Sequence, residues 1–409
     1  MTMTSSPLEA LLHDAFARRE QPLLDLADQA EALALACRDM AVRFARGGRL
    51  LVFGNGSGAT DAQHVAVEFV HPVIVGKPAL PALSLVSDAA TLMGVAARRG
   101  LDGVYAHQVE VLARPDDIAL GLSVDGDCSN VRAGLRAARD AGLLTVALVG
   151  GDGGALRAEA EHCLVVRSDD PLVVKEGHVT AYHLLWELVH VFLDAAQQAA
   201  AAREAYPFLA AGDEQELLDA AADSARHKVA EIVALRRAVA DEQGAALAAC
   251  AVELAAAFDS GATLLAFGNG GSSTDAQDVV HTFLDPPTAE PLPALCLTSD
   301  VAVLTALAND VSFDVVFARQ VQAFGRVGDI AVALSTSGGS ANVLAALDAA
   351  HRTGMVTVGL AGYGGGRMAD SASVTHLFAV PSSSVHRIQE VQTTLYHLLW
   401  QATRSAATS

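Results

Sequence analysis

Residues 49–69 read RLLVFGNGSGATDAQHVAVEF, and residues 263–283 read TLLAFGNGGSSTDAQDVVHTF. Each stretch begins with an apolar run that does not alternate with polar positions, as expected of a strand buried on both faces of a parallel sheet. A glycine-rich turn follows, and the segment after the turn has the spacing of a helix. The pattern predicts a strand–turn–helix unit that occurs twice in the chain.

The repetition extends well beyond this unit. Asn130-Val131 recurs as Asn342-Val343, 212 positions later, and YHLLW at 182–186 recurs at 396–400, 214 positions later. A collinear match of this length, interrupted only by small insertions, indicates a duplicated domain. The seam is placed near residue 210, in an alanine-rich stretch, and the predicted domains are 1–210 and 211–409.

Each half contains four short apolar runs that end in glycine or serine. Helical stretches such as NVLAALDAAHRTGM at 342–355 separate these runs, and the alternation is typical of βαβ units. Long alanine-rich helical segments open the two halves, at 7–46 and 213–258. The predicted fold class is therefore α/β, with two tandem doubly wound parallel-sheet domains of the flavodoxin-like type, each with N-terminal helices.

The composition argues against several classes of function. The 409-residue chain has a formal net charge of −20, which disfavours nucleic-acid and anionic-membrane partners. It has no apolar run long enough to span a membrane and no signal-peptide pattern, so we expect a cytoplasmic protein. The five cysteines lack CxxC spacing, which is typical of reduced, buried thiols. An anionic ligand would have to be held by local donors.

A second motif has the residue types that bind phosphate. Residues 335–340, STSGGS, lie between a predicted strand and a predicted helix, where hydroxyl groups, glycines and free helix N–H groups suit a dianion. A Ser/Gly turn with a serine N-cap is the alternative. In the first half, Asp125 replaces Ser337 and Asp127 replaces Gly339. Because two carboxylates repel phosphate, this copy is interpreted as a site that has lost its ligand; a metal held by the two aspartates is the alternative.

Four motifs of the second half resemble the phosphoheptose isomerases, a family of the sugar isomerase (SIS) domain superfamily: GNGGSSTDAQ, ALAND, ALSTSGGSANVLAALDAA and VHRIQEVQTTLYHLLW. The first half resembles the family more weakly, through residues 54–69 and its final helix. The resemblance implies conversion of sedoheptulose 7-phosphate to D-glycero-D-manno-heptose 7-phosphate through an enediol, without a nucleotide cofactor. It also implies a glutamate and a histidine as acid–base groups, and a zinc ion held by two histidines, that glutamate and a glutamine.

The family's functional residues transfer to named positions. Its HxxxE pair matches His64 and Glu68, which share one face of a helix at i and i+4. Its glutamine and its second histidine match Gln389 and His397. By this resemblance Glu68 and His397 are catalytic, and His64, Glu68, Gln389 and His397 are the zinc ligands. The implied substrate-binding residues are Asn269, Gly270, Gly271, Ser272, Asn309, Asp310, Ser335, Thr336, Ser337, Ser340 and Gln389.

The two halves depart from the family pattern in complementary ways. The second half keeps its ligand loops but has Asp278 and Thr282 in place of the His/Glu pair. The first half keeps the pair and His183, but it has Ala97-Arg98 in place of Asn-Asp and Lys175 in place of the glutamine. A lysine ammonium cannot ligate zinc unless it is deprotonated.

We therefore predict one composite site, with His64 and Glu68 from one half and the remaining groups from the other. The site forms within one chain or between two chains, and the expected assembly is a homodimer that imitates a tetramer of single SIS domains. One alternative is a non-catalytic phosphosugar-binding protein with a regulatory or assembly role. Another is an isomerase for a different ketose phosphate. The retained His64 and Glu68 favour an enzyme, because a sensor does not need them.

Overall fold

A computed structural model describes residues 6–74, 76–205, 214–286 and 288–407, without the side chains of residues 198–205. The predicted seam near residue 210 lies outside the described residues. Among those that are described, no helix combines the length and apolar character required to cross a membrane.

The described chain contains two five-stranded sheets in which every pairing is parallel. The first sheet has the order β2-β1-β3-β4-β5 and the second has the order β7-β6-β8-β9-β10, which is the flavodoxin-like arrangement. The predicted fold class is confirmed. The strands of the first sheet are β1 (Leu50–Gly54), β2 (Ala82–Ser84), β3 (Ile118–Ser123), β4 (Leu144–Gly150) and β5 (His162–Val166). Those of the second sheet are β6 (Leu264–Gly268), β7 (Ala294–Cys296), β8 (Ile330–Ser335), β9 (Val356–Ala361) and β10 (His376–Ala379).

The helices of the first repeat are α1 (Pro7–Ala17), α2 (Glu20–Ala27), α3 (Ala30–Ala45), α4 (Ser57–Val70), α5 (Ala89–Arg99), α6 (Val104–Leu112), α7 (Ser129–Asp140) and α8 (Pro171–Ala205). Those of the second repeat are α9 (Glu214–Asp259), α10 (Gly271–Leu284), α11 (Val301–Asp310), α12 (Val316–Phe324), α13 (Ala341–Thr353), α14 (Gly366–Ala369) and α15 (Val385–Ala407). The predicted opening segment 7–46 is three helices, whereas its counterpart in the second repeat is one.

The chain divides into two compact units whose bounds differ from those of the sequence repeat. The first-repeat unit is Glu20–Glu231, and the second-repeat unit is Met1–Arg19 together with Ile232–Ser409. Helix α1 therefore belongs to the second-repeat unit, in which it contacts α15. The domain bounds 1–210 and 211–409 stay a prediction about the duplicated sequence.

The turn in the opening motif has the same backbone in both units. Gly56 and Gly270 adopt φ of +54° and +56°, a region that favours glycine. The preceding glycine is also sterically required, because a Cβ on Gly54 would lie 2.7 Å from the carbonyl oxygen of Gly58. This tight turn places the start of α4, and that of α10, directly beyond the carboxyl end of a central strand, where open α/β sheets bind ligands.

Candidate functional sites in the two repeats

A buried group of three side chains lies between α4 and α8 of the first-repeat unit. His64 and Glu68 are one turn apart on α4, and His64 Nε2 lies 3.6 Å from Glu68 Oε1. His183 on α8 meets the His64 ring edge to face, with ring centroids 5.4 Å apart. The exposed fractions of the three residues are 1%, 2% and 0%. The face shared by His64 and Glu68, predicted from their spacing, therefore packs against a histidine of the same unit.

The donor set of this group suits a metal ion. One ligand atom from each of His64, Glu68 and His183 can be chosen so that all three lie within 4.8 Å of one another. Two imidazoles and one carboxylate are a common set for a catalytic zinc ion with an open fourth position. His183 was recognised in the sequence as a retained residue, but the resemblance assigned the second histidine ligand to His397. The repeat alignment, which pairs His183 with His397, was the signal that could have identified it.

Lys175, which replaces the family's glutamine, forms a buried ion pair with Asp61 on α4. Its ammonium also donates to the hydroxyl of Thr60, at 3.3 Å. The two charged side chains are only 2% and 1% exposed. Burial, and the nearby charge of Lys175, lower the pKa of His178 to about 3. An ammonium bonded in this way offers no lone pair to a metal, so the structure gives Lys175 a role in joining α4 to α8.

The corresponding group of the second-repeat unit is built differently. Asp278 on α10 accepts a hydrogen bond from the Tyr396 hydroxyl at 2.8 Å, and its Oδ2 lies 3.3 Å from His397 Nε2. Burial, and then the negative charges of Asp278 and Asp275, raise the pKa of Tyr396 well above its usual value. The aspartate that replaces a histidine of the family is therefore the carboxylate partner of His397 within this unit. Gln389 is also buried on α15.

The STSGGS loop (335–340) connects β8 to α13 in the second-repeat unit. Its serine hydroxyls lie close together, with Ser335 Oγ 3.5 Å from Ser337 Oγ and 3.2 Å from Ser340 Oγ. Ser340 occupies the N-cap position of α13, but its side chain makes no capping hydrogen bond. The loop thus brings several hydroxyl groups to a helix N-terminus, an arrangement that suits a phosphate group.

The neighbouring turn of the opening motif is tied to this loop by a pair of asparagines. The Asn269 and Asn342 side chains exchange two hydrogen bonds of 2.8 Å. The first-repeat unit has the same exchange between Asn55 and Asn130, at 2.7 and 3.0 Å. The repeat pattern predicts no more for Asn342 than a counterpart in Asn130, whereas the structure shows that it joins the two loops to each other.

The predicted pair Asn309 and Asp310 lies at the C-terminal end of α11, and both residues are exposed. The amide of Asn309 donates to the carboxylate of Asp310 at 2.8 Å. Helix α11 has no buried residue although its sequence is mainly apolar. The structure therefore leaves these two side chains available at the surface of their unit.

The predicted residues fall into two sets by unit. His64 and Glu68 belong to the first-repeat unit, whereas Gln389, His397, the STSGGS loop and Asn309-Asp310 belong to the second. The composite set of four zinc ligands stays a prediction, and His183 is the histidine that the structure adds to His64 and Glu68 within their own unit.

Comparison with known proteins identifies the family. A family model described as SIS domain matches residues 17–150 and 229–362, so the chain is a SIS-domain protein with the domain present twice. A phosphoheptose isomerase of Desulfovibrio desulfuricans is 49% identical over 175 residues, which cover 41% of this chain and 80% of the relative. One of Solidesulfovibrio magneticus is 45% identical over 166 residues, covering 41% of this chain and 81% of the relative. The chain belongs to the phosphoheptose isomerase family of SIS-domain proteins, as a tandem of two units.

A solved structure supports the fold along nearly the whole chain. The C-terminal domain of glucosamine-fructose-6-phosphate aminotransferase from Francisella tularensis matches with a TM-score of 0.61 and 9% identity, covering 95% of this chain and 97% of that one. This likeness concerns the two-domain architecture alone.

Proposed function

We propose that the protein is a sugar-phosphate aldose–ketose isomerase that converts sedoheptulose 7-phosphate to D-glycero-D-manno-heptose 7-phosphate. The proposal depends on the buried group of His64, Glu68 and His183, because phosphate binding alone does not require ionisable side chains buried between two helices. The substrate is proposed from the relatives named phosphoheptose isomerase.

The reaction moves one proton between adjacent carbons and needs an acid and a base in one pocket. In the proposed mechanism Glu68 removes a proton from C1 of the ketose, while the carbonyl oxygen at C2 receives a proton from a histidine. The resulting enediol loses the proton on its C1 oxygen and gains one at C2, which gives the aldose. His397 is proposed as the partner acid, since Asp278 lies against its Nε2 and stabilises the protonated ring.

A zinc ion fits the first-repeat group, and His64, Glu68 and His183 would hold it. When bound, zinc polarises a carbonyl oxygen as a Lewis acid. The proton transfers themselves are assigned to Glu68 and His397. Assays with and without zinc test whether these transfers need the metal.

Both repeats contribute to the proposed reaction. The first repeat supplies Glu68, and the second supplies the STSGGS loop for the 7-phosphate, with Asn269, Asn309, Asp310 and Gln389 as further substrate contacts. The phosphate donors are neutral hydroxyls and helix N–H groups, which explains how a chain with a charge of −20 can hold a dianion.

The active assembly is proposed to be a homodimer. Val301, Val311 and Phe313, on or directly after α11, are 67%, 56% and 55% exposed, and apolar surface of this kind is typical of a subunit contact. Light scattering after size exclusion tests the dimer, and a monomer at micromolar concentration would contradict it.

The function is tested by incubating the protein with sedoheptulose 7-phosphate, with and without zinc, and following the product by NMR. Glu68→Gln is expected to abolish turnover and to keep phosphosugar binding, because it removes the base without changing the loop. Turnover by this variant would contradict the assignment of Glu68. Binding without turnover by the unaltered protein would instead support the non-catalytic alternative.

A further inference from the structure

The SVDGDC loop (123–128) of the first repeat keeps the backbone frame of the STSGGS loop. Gly126 and Gly338 occupy the same position and both have positive φ, +76° and +60°. A Cβ on either glycine would collide with the turn after the next strand, 2.4 Å from the Gly153 oxygen and 2.1 Å from the Gly365 oxygen. The loop that looks degenerate in sequence has therefore retained its shape.

In the SVDGDC loop, the hydrogen-bond donors point to an aspartate of the loop itself, Asp125. Asp125 Oδ1 accepts hydrogen bonds from the hydroxyl of Ser123 at 2.8 Å and from the N–H of Asp127 at 2.9 Å. The thiol of Cys128 lies 3.7 Å from the same oxygen. A carboxylate oxygen thus accepts bonds from groups that, in a free anion site, would point to the ligand.

The STSGGS loop contains no such anion. The N–H of Gly339 donates to the hydroxyl of Ser337 at 3.2 Å, and the hydroxyl of Ser335 lies within hydrogen-bonding distance of those of Ser337 and Ser340. Because hydroxyl groups rotate freely, they can turn toward a bound phosphate without leaving a buried charge unpaired.

The pKa of Asp125 agrees with this role. Partial burial raises the pKa of Asp125, but the hydrogen bonds from the Asp127 N–H, the Ser123 hydroxyl and the Cys128 thiol more than offset burial, so the pKa lies below its usual value. Asp127 is held in place as well, since its Oδ1 accepts the N–H of Ala155 at 2.9 Å. At neutral pH the loop therefore carries its own negative charge.

We propose that Asp125 is a built-in anion that closes the phosphate-binding position, here called the seat, of the first-repeat loop. Each chain then has one open seat, in the STSGGS loop, and one closed seat of the same geometry, in the SVDGDC loop. The inference goes beyond the loss of a ligand suggested by the sequence, because it predicts that the closed seat can be opened. Restoring the second-repeat residues through Asp125→Ser and Asp127→Gly should create a site for inorganic phosphate and for the phosphate of a phosphosugar. The proposal rests on the proposed function only in taking the STSGGS loop as a phosphate seat.

The experiment is isothermal titration of three full-length proteins with inorganic phosphate. The unaltered chain is expected to bind one phosphate, the Asp125→Ser/Asp127→Gly variant two, and the reciprocal Ser337→Asp variant none. Ser337→Asp should weaken phosphate binding by about 100-fold or more through charge repulsion. Circular dichroism confirms that each variant is folded.

The outcomes separate this inference from the proposed function. An Asp125→Ser/Asp127→Gly variant that is folded and gains no phosphate overturns the inference, and so does a Ser337→Asp variant that binds phosphate as the unaltered chain does. If the unaltered chain binds no phosphate, the proposed function loses its phosphate seat; a gain of one phosphate on opening the first seat would still support the inference. Repeating the titration with sedoheptulose 7-phosphate shows whether the opened seat takes a phosphosugar as well.

Discussion

The ion pair between Asp61 and Lys175 provides the sharpest test of what holds helices α4 and α8 together. Both side chains are almost completely buried, and removing one partner of a buried pair leaves a charge without compensation at a cost of about 3–5 kcal/mol. Asp61→Asn should have this effect, because it removes the negative charge that faces the buried Lys175 ammonium. For a unit of this size the cost corresponds to a fall of about 6–20 °C in melting temperature.

The second repeat provides a matched control, since it has Asp275 and Gln389 at the equivalent positions. Lys175→Gln reproduces that natural pair and should cost less than Asp61→Asn, and the double variant should recover part of the loss. Urea unfolding of the four proteins gives the coupling free energy, expected to be about 2 kcal/mol or more for charges in contact. A loss below about 1 kcal/mol for Asp61→Asn, or a double variant as unstable as the sum of the single ones, would refute the reasoning.

Three further predictions concern individual groups and use four substitutions. His183→Ala should abolish the binding of cobalt, used as a spectroscopic substitute for zinc and measured by absorption, while His397→Ala leaves it unchanged; a loss with His397→Ala and none with His183→Ala would instead favour the composite ligand set. Asp278→Ala should lower turnover, because it removes the carboxylate beside the proposed acid His397, and urea unfolding should show a loss of about 1–3 kcal/mol, because the buried Tyr396 hydroxyl loses its acceptor. The carboxylate of Glu159 accepts hydrogen bonds from Arg136, Arg132 and Arg139, and these arginines, Arg136 most of all, lower its pKa from 4.5 to about 2. This carboxylate therefore stabilises the fold above its unfolded pKa, and the contribution is lost as pH falls from about 5 to 2. Glu159→Gln should flatten that part of the stability–pH curve, and an unchanged curve would argue against the assignment.

Much of the fold could be predicted because the central strands are uninterrupted apolar runs followed by glycine-rich turns. The edge strands β5 and β10 were not predicted, because they begin with His162 and His376 and so lack the uninterrupted apolar run of the central strands. The unit bounds could not be predicted either. The sequence of α1 does not indicate which of the two similar domains the helix packs against, because that packing depends on tertiary contacts.

The candidate site was predicted only where local spacing carries the information. The i, i+4 spacing of His64 and Glu68 placed both on one helix face, and the structure confirms that face. The partners of Asp278 could not be predicted in this way, because the Tyr396 hydroxyl lies 118 residues away in sequence. The closure of the SVDGDC loop by Asp125 depends in the same way on hydrogen bonds that composition does not reveal.

The central claim is that Glu68 of the first repeat acts on a phosphosugar whose phosphate is held by the second repeat. The most direct measurement is the NMR assay with sedoheptulose 7-phosphate, run on the unaltered protein, on Glu68→Gln and on Ser337→Asp. The account predicts D-glycero-D-manno-heptose 7-phosphate from the unaltered protein alone, with Glu68→Gln inactive but still binding and Ser337→Asp impaired in binding. Undiminished turnover by either variant would contradict it.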